Sequence, residues 1–283
     1  MKDVEAVIAK HAGKRPRHLV PLSGGSIAPV YRVDFEGGER LVAKFGTEGS
    51  GLALEGRMLR YLAAKSRLPV PAVLHADDRL LLMNYVESSG AITASVEEDA
   101  AELLADLHGI TAAHFGFEEA TLIGGLHQPN PPTVSWREFF RDQRLCYMAG
   151  EAAQAGRLPK ALLGRIDWLA ARLDEWIGEE GPPSLIHGDL WGGNVLARKG
   201  RIAAFVDPAI YFADPEIELA FSTLFSTFGE AFFRRYGEIR GFREGFWEDR
   251  RALYNLYPLL VHVRLFGGGY VDSVERTLSR FGA

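Results

Sequence analysis

The chain has 283 residues, 47% hydrophobic and 24% charged, enough apolar material for one large domain or two closely packed lobes. A formal net charge of −5 argues against a nucleic-acid partner, which normally meets a basic face. The single cysteine, Cys146, rules out an internal disulfide, and no apolar run suits a signal peptide or a membrane span, so a soluble cytoplasmic protein without membrane contact is expected.

A short N-terminal helix is followed by LVPL and PVYRVDF, two strand-like runs that flank the glycine-rich SGGSIA. Glu36-Gly37-Gly38-Glu39 turns the chain into RLVAKFG, an alternating run that puts Val42 and Lys44 on one face. LALEGRMLRYLAAK spaces Leu52, Met58, Leu59 and Leu62 as a helix does, and PAVLHADDRLLLMNYVE reads as two strands turning at Asp77-Asp78.

From about Val96 the pattern becomes helical: EDAAELLADLHGI, SWREFFRDQRLCYMAG, PKALLGRIDWLAARLDEWI, the segment around 216–240, and EDRRALYNLYPLLVHVRLF. Between the first two, GFEEATLIGGLHQPNPPTVS reads as a long loop. Only SLIH, NVLARKG and RIAAFVDPA look strand-like in this half. The expected class is therefore α+β, with a small β-rich lobe over 1–86, a larger mainly helical lobe over 87–283, and a hinge near Asn84–Glu87.

The chemistry concentrates in SLIHGDLWGGNVL, where His187, Asp189 and Asn194 fall within eight residues. Asp207, in FVDPA, follows Asn194 by thirteen. Two carboxylates and an amide at the ends of short strands can converge oxygens on a hard cation such as Mg²⁺, which keeps water or phosphate for its other positions. The five-residue Asp–Asn spacing matches the catalytic loop of kinase-like phosphotransferases, with Asp189 as base and Asn194 and Asp207 as metal ligands.

Asp-Gly-Asn stretches are also ordinary turns, because these residues tolerate left-handed backbone. What raises HGD…N above that level is the order of three other features. Gly24, Gly25 and Ser26 form a glycine turn between strands, able to bring N–H groups close to phosphates. Lys44 follows on the next strand and Glu55 on the next helix, the pair that would position a phosphate-binding ammonium. Asn84, Tyr85 and Val86 occupy the hinge, where backbone groups would meet adenine. A metallophosphoesterase reading of Asp106-Leu107-His108, Gly188-Asp189 and Gly193-Asn194 fares worse, because Val195 stands where that pattern has His and DLH sits inside a helix.

With HGDLWGGN followed by DPA, PLSGGSIAPVYRV, LVAKFG, the Gln-x-Asn and Trp-x-x-Phe-Phe of the 116–145 region, and YFADPEIELA, the sequence resembles the fructosamine (ketosamine) kinase family over nearly its whole length. Those proteins are relatives of aminoglycoside and choline phosphotransferases on a bilobal protein-kinase-like fold. The resemblance implies ATP and Mg²⁺ as cofactors and transfer of the γ-phosphate to the 3-OH of a fructosamine or ribulosamine, free or carried on a protein, in support of deglycation. The chain departs from the family at Ser26 and Ala28, where Asn or Asp is common, and at Pro258, Val261 and Arg264, which bear on the acceptor side.

For the remaining residues, His187 is expected to brace the loop through backbone contacts, and Asp214 to brace or cap the helix that follows it. Trp191 suits stacking on a sugar as well as it suits packing. His262, on an apolar helix, is a core histidine more often than a substrate contact. Phe139, Phe140, Phe225, Phe228, Phe232 and Phe233 are expected in the core. Two alternatives stay open: another acceptor (an aminoglycoside, a choline-like alcohol or another sugar), and a nucleotide-binding scaffold without activity. The first lacks the carboxylates a polycation would need around 254–266, and the second sits poorly with Lys44, Asp189, Asn194 and Asp207 all being present.

Overall fold

The computed structural model describes residues 2–22, 28–178 and 180–283. Helix α1 (Lys2–Ala12) leads into a five-stranded antiparallel sheet made of β1 (Pro16–Pro21), β2 (Val30–Phe35), β3 (Arg40–Phe45), β4 (Val73–Ala76) and β5 (Leu80–Asn84), in the order β1-β2-β3-β5-β4. Alternation along β3 decides what each face meets. Leu41 and Ala43 pack with Ile8 of α1, whereas Val42 joins Leu81, Met83 and the Leu52 and Leu59 side chains of α2 (Leu52–Lys65). Lys44 shares the face of Val42 and is drawn under α2.

Beyond β5 the chain is mainly helical: α3 (Ala94–Leu107), α4 (Trp136–Phe139), α5 (Cys146–Gln154), α6 (Lys160–Ala170), α7 (Glu216–Leu224), α8 (Glu230–Arg240), α9 (Arg251–Phe266) and α10 (Gly269–Arg280). Wider helical turns at Phe140–Leu145 join α4 to α5. At the centre lies α9, with Leu253, Tyr254, Leu256, Tyr257, Leu259, Leu260 and Val263 all buried, as a helix apolar on nearly every side requires.

Three two-stranded sheets carry the loops. β8 (Ser184–Ile186) pairs with β11 (Tyr211–Ala213), and β9 (Val195–Arg198) pairs with β10 (Arg201–Phe205) through a tight turn with positive φ at both Lys199 and Gly200. β6 (Thr121–Ile123) pairs with β7 (Leu126–Gln128).

The structure corrects the sequence reading in four places. The long loop of 116–135 contains the β6–β7 hairpin, whose three-residue strands are too short to show alternation. The 216–240 segment is two helices, broken after Phe225 where Ser226 takes a positive φ of 52°. Helix α10 was not anticipated, since it buries only Val274 and Leu278. Phe225 is not core: it is 36% exposed, while Phe139, Phe140, Phe228 and Phe232 are buried and Phe233 is half-buried.

Contacts on both sides of the β4–β5 pair tie the sheet to the helical half. Ser89 N–H donates to the Ala197 carbonyl of β9 at 2.9 Å, and Glu87 pairs with Arg40 of β3 and with Arg198 of β9 at 2.5 Å. Phe205 N–H adds a bond to the Pro69 carbonyl at 2.8 Å.

Candidate active site

The loop between β8 and β9 is built around a backbone that only glycine fits at one point. Gly188 has φ +85°, and a Cβ there would lie 2.1 Å from the Ala209 carbonyl oxygen. The neighbouring Gly192 and Gly193 turn the chain in a short helical turn that needs no positive φ. A Cβ on Gly193 would meet the Trp191 ring at 2.3 Å, so the indole lies directly over that residue.

Behind the loop stands Glu218 of α7, fully enclosed. It accepts the N–H of His187 at 3.2 Å and of Gly188 at 2.7 Å, and His108 Nε2 at 2.8 Å. His108 Nδ1 in turn meets the Tyr236 hydroxyl at 2.7 Å. Burial favours a neutral Glu218, but His108, His187 and the Gly188 N–H outweigh it and hold the carboxyl below its ordinary range. His108 therefore belongs to this brace, at the end of α3, and not to a metal motif.

His187 is fully buried, and burial pushes its imidazole below its ordinary value against the pull of Glu218 and Asp207. The neutral ring donates from Nε2 to the Val206 carbonyl at 3.0 Å, leaving Nδ1 to face the Asp189 N–H at 3.4 Å. One side chain thereby links the two loops that carry Asp189 and Asp207.

Asp189 is half-buried on the loop after β8. Burial pushes its carboxyl up to about 7, opposed by the Asn194 hydrogen bond and aided by the charges of Asp207 and Glu218. Asn194 donates from Nδ2 to the Asp189 carbonyl and carboxylate, both at 2.9 Å. With its donors so used, the oxygen of the Asn194 amide is the group it has to offer a cation.

Asp207, two residues past β10, takes φ +53°, a strained backbone for a residue with a Cβ and a frequent mark of functional positions. It contacts Lys44, which also donates to Glu55 at 2.7 Å. Burial works against the charge on Lys44, but Asp207 and Glu55 outweigh it and raise its pKa, so the ammonium is held firmly. Burial also raises Glu55, against the attraction of Lys44. Asp207 keeps 38% of its side chain accessible. Two hard oxygen donors, Asn194 and Asp207, are too few for a closed cage and suit a cation such as Mg²⁺ that retains water and phosphate.

Of the other expected residues, Gly24, Gly25 and Ser26 lie outside the described residues. Asn84 ends β5 with its side chain turned to the Ala72 N–H. Tyr85 gives its N–H to the Arg40 carbonyl at 3.3 Å and stacks its ring under Arg40, whereas no partner among the described residues takes the Val86 N–H. Asp214 is buried, accepting the Glu216 N–H at 3.0 Å and the Tyr254 hydroxyl at 3.2 Å and pairing with Arg243. Trp191 is 38% exposed and meets Phe225, which meets His262.

The Gln-x-Asn segment serves the fold around the site. Gln128 donates to the Ala209 carbonyl at 3.1 Å and accepts from the Tyr257 hydroxyl at 2.6 Å. Asn130 accepts from the fully buried Arg144 at 2.6 Å, whose guanidinium lies 3.9 Å from the Tyr211 ring centre.

Comparison with known proteins agrees over the full length. The fructosamine kinase family model matches residues 1–282. A probable ketoamine kinase of Enterococcus faecium is 30% identical, over 99% of this chain and 100% of that protein. The crystal structure of a candidate fructosamine-3-kinase from Thermobifida fusca superposes with a TM-score of 0.85 at 31% identity, covering 99% of both chains. An ADP-bound aminoglycoside phosphotransferase, APH(2'')-Ib, shares the fold at a TM-score of 0.67 and 16% identity, over 98% of this chain and 97% of that one.

Proposed function

The chain belongs to the fructosamine kinase family and is an ATP-dependent phosphotransferase with an alcohol as acceptor, and we propose that it phosphorylates the 3-OH of a ketosamine, a fructosamine or ribulosamine. The observation that carries the residue assignment is that Asp207, paired with Lys44 and through it with Glu55, lies near enough to Asp189 for its charge to raise that carboxyl, while Asn194 holds Asp189 by a hydrogen bond.

In this reading Asp189 accepts a hydrogen bond from the acceptor hydroxyl, orients its oxygen toward the γ-phosphate and takes up the proton as transfer proceeds. A carboxyl poised near neutrality is suited to receiving a proton at physiological pH. Asn194 holds Asp189 in place. Lys44, fixed by Glu55, meets the α- and β-phosphates, and the Val86 N–H meets the adenine edge. Gly24, Gly25 and Ser26 are assigned to the loop over the phosphates on the resemblance alone. Asn194 and Asp207 would hold Mg²⁺, which supplies charge neutralisation for the transferring phosphoryl group.

His187, Glu218 and Asp214 keep the frame rigid, and Trp191 and His262 line the acceptor side. The phosphorylated ketosamine is the less stable adduct, so the reaction favours loss of the sugar and recovery of the amine.

The test is ADP release from Mg-ATP with fructose-lysine, ribulose-lysine, an aminoglycoside and choline. Turnover on a ketosamine, with phosphate on the sugar 3-OH, supports the reading. Turnover only on another acceptor overturns the substrate and keeps the phosphotransfer chemistry.

A further inference from the structure

A continuous wall of rings begins at the loop that carries Asp189. Trp191, whose N–H donates to the Asp189 carbonyl at 3.1 Å, meets Phe225 at 6.4 Å between ring centres. Phe225 meets His262 at 4.9 Å, and His262 meets Tyr270 at 4.8 Å and Phe266 at 5.7 Å. Trp191, Phe225 and Phe266 are 38%, 36% and 55% exposed. Single exposed aromatics need no explanation, but a contiguous set beside a reactive carboxylate does.

Two features show that Phe225 is placed rather than left over. It is the last residue before α7 gives way, and Ser226 holds the left-handed backbone that turns the chain there. The same α7 carries Glu218, so the ring is fixed relative to the Asp189 loop. Along α9 no Asp or Glu occurs from Tyr254 to Phe266, so ring faces rather than a carboxylate are what this side offers a single positive charge.

We propose that this wall, with Phe225 at its centre, determines specificity by receiving the protonated secondary amine of the ketosamine against its ring faces. The inference rests on the ketosamine reading above. The amine nitrogen of such a substrate is three bonds from the sugar carbon that carries the reacting hydroxyl, close enough for a ring on the residue two beyond Asp189 to reach it. An alkylammonium is attracted to the negative faces of aromatic rings, by an amount worth about two- to thirty-fold in affinity, depending on desolvation. Burial lowers the pKa of His262, and its Nδ1 donates to the Pro258 carbonyl at 2.7 Å, so this ring adds no positive charge to oppose a cation.

The experiment compares kcat/KM for N-α-acetyl-fructose-lysine with that for its ether analogue, in which oxygen replaces the amine nitrogen. Wild type should prefer the amine. Phe225→Leu should reduce that preference by about two- to thirty-fold, through KM, and Phe225→Tyr, which keeps a ring face, should retain it. Phe266→Leu, at the most exposed ring, gives a second reading in the same direction should Phe225→Leu lower stability. An unchanged preference in both leucine variants, or none in wild type, overturns the assignment while the ketosamine reading stands. If wild type phosphorylates neither sugar but accepts another alcohol, both fall together.

Discussion

Glu218 stands directly behind Gly188 and accepts its N–H at 2.7 Å, with the His187 N–H at 3.2 Å. A carboxylate inside α7 thus sets the backbone of the residue preceding Asp189. The same helix leads directly into Phe225, so one element supports both the Asp189 loop and the ring proposed to face the acceptor.

Glu218→Gln should be costly, although it is nearly isosteric. The three groups that Glu218 meets all donate, and an amide would turn its own N–H₂ toward one of them. The loss expected is about 3 kcal/mol in denaturant unfolding, together with a fall in kcat. Stability and kcat within error of wild type would remove Glu218 from this role.

Gly188→Ala should damage the loop, and Gly192→Ala should not. The first puts a methyl group 2.1 Å from the Ala209 carbonyl on a left-handed backbone, whereas the second meets nothing within 4 Å. Displacing Asp189 by such a shift should lower kcat/KM about a hundredfold. Steady-state kinetics of the two variants side by side is the check.

The raised Asp189 carboxyl carries a stability cost with a definite sign. The unfolded chain releases this proton near 3.8 and the native protein only near 7, so the nucleotide-free fold loses stability as pH rises between those values. Asp189→Asn cannot ionise and should raise Tm in metal-free buffer, by more at pH 8 than at pH 5. Equal shifts at both pH values would show that the carboxyl is not perturbed.

Lys44→Met should weaken ATP binding by tenfold or more and also lower stability, because it leaves Glu55 and Asp207 facing each other without their cation. Glu55→Gln keeps a hydrogen-bond acceptor for Lys44 and should do less of both. Nucleotide titration by calorimetry separates the two variants.

Much of this site is legible in the sequence because its residues signal locally. Alternation along β3 places Lys44 on the face that α2 covers, and the short Asp189–Asn194 spacing keeps within one loop the two side chains that meet at 2.9 Å. What escapes is whatever depends on partners far along the chain. Glu218 reads as one more acid on an amphipathic helix until the fold brings it to Gly188 and His108. Phe225 continues a helical spacing of aromatics, and only the backbone turn at Ser226 takes it out of the core. The strands β6 and β7 are set by Gln128 and Asn130 bonding to distant backbone and to Arg144, which no short-range pattern announces.

The most direct measurement is single-turnover transfer from Mg-ATP to fructose-lysine by wild type and Asp189→Ala, followed by ³¹P NMR, with ATP affinity determined for both proteins. The account predicts a sugar 3-phosphate from wild type, none from the variant, and nearly equal ATP binding. Substantial phosphoryl transfer by Asp189→Ala would contradict it.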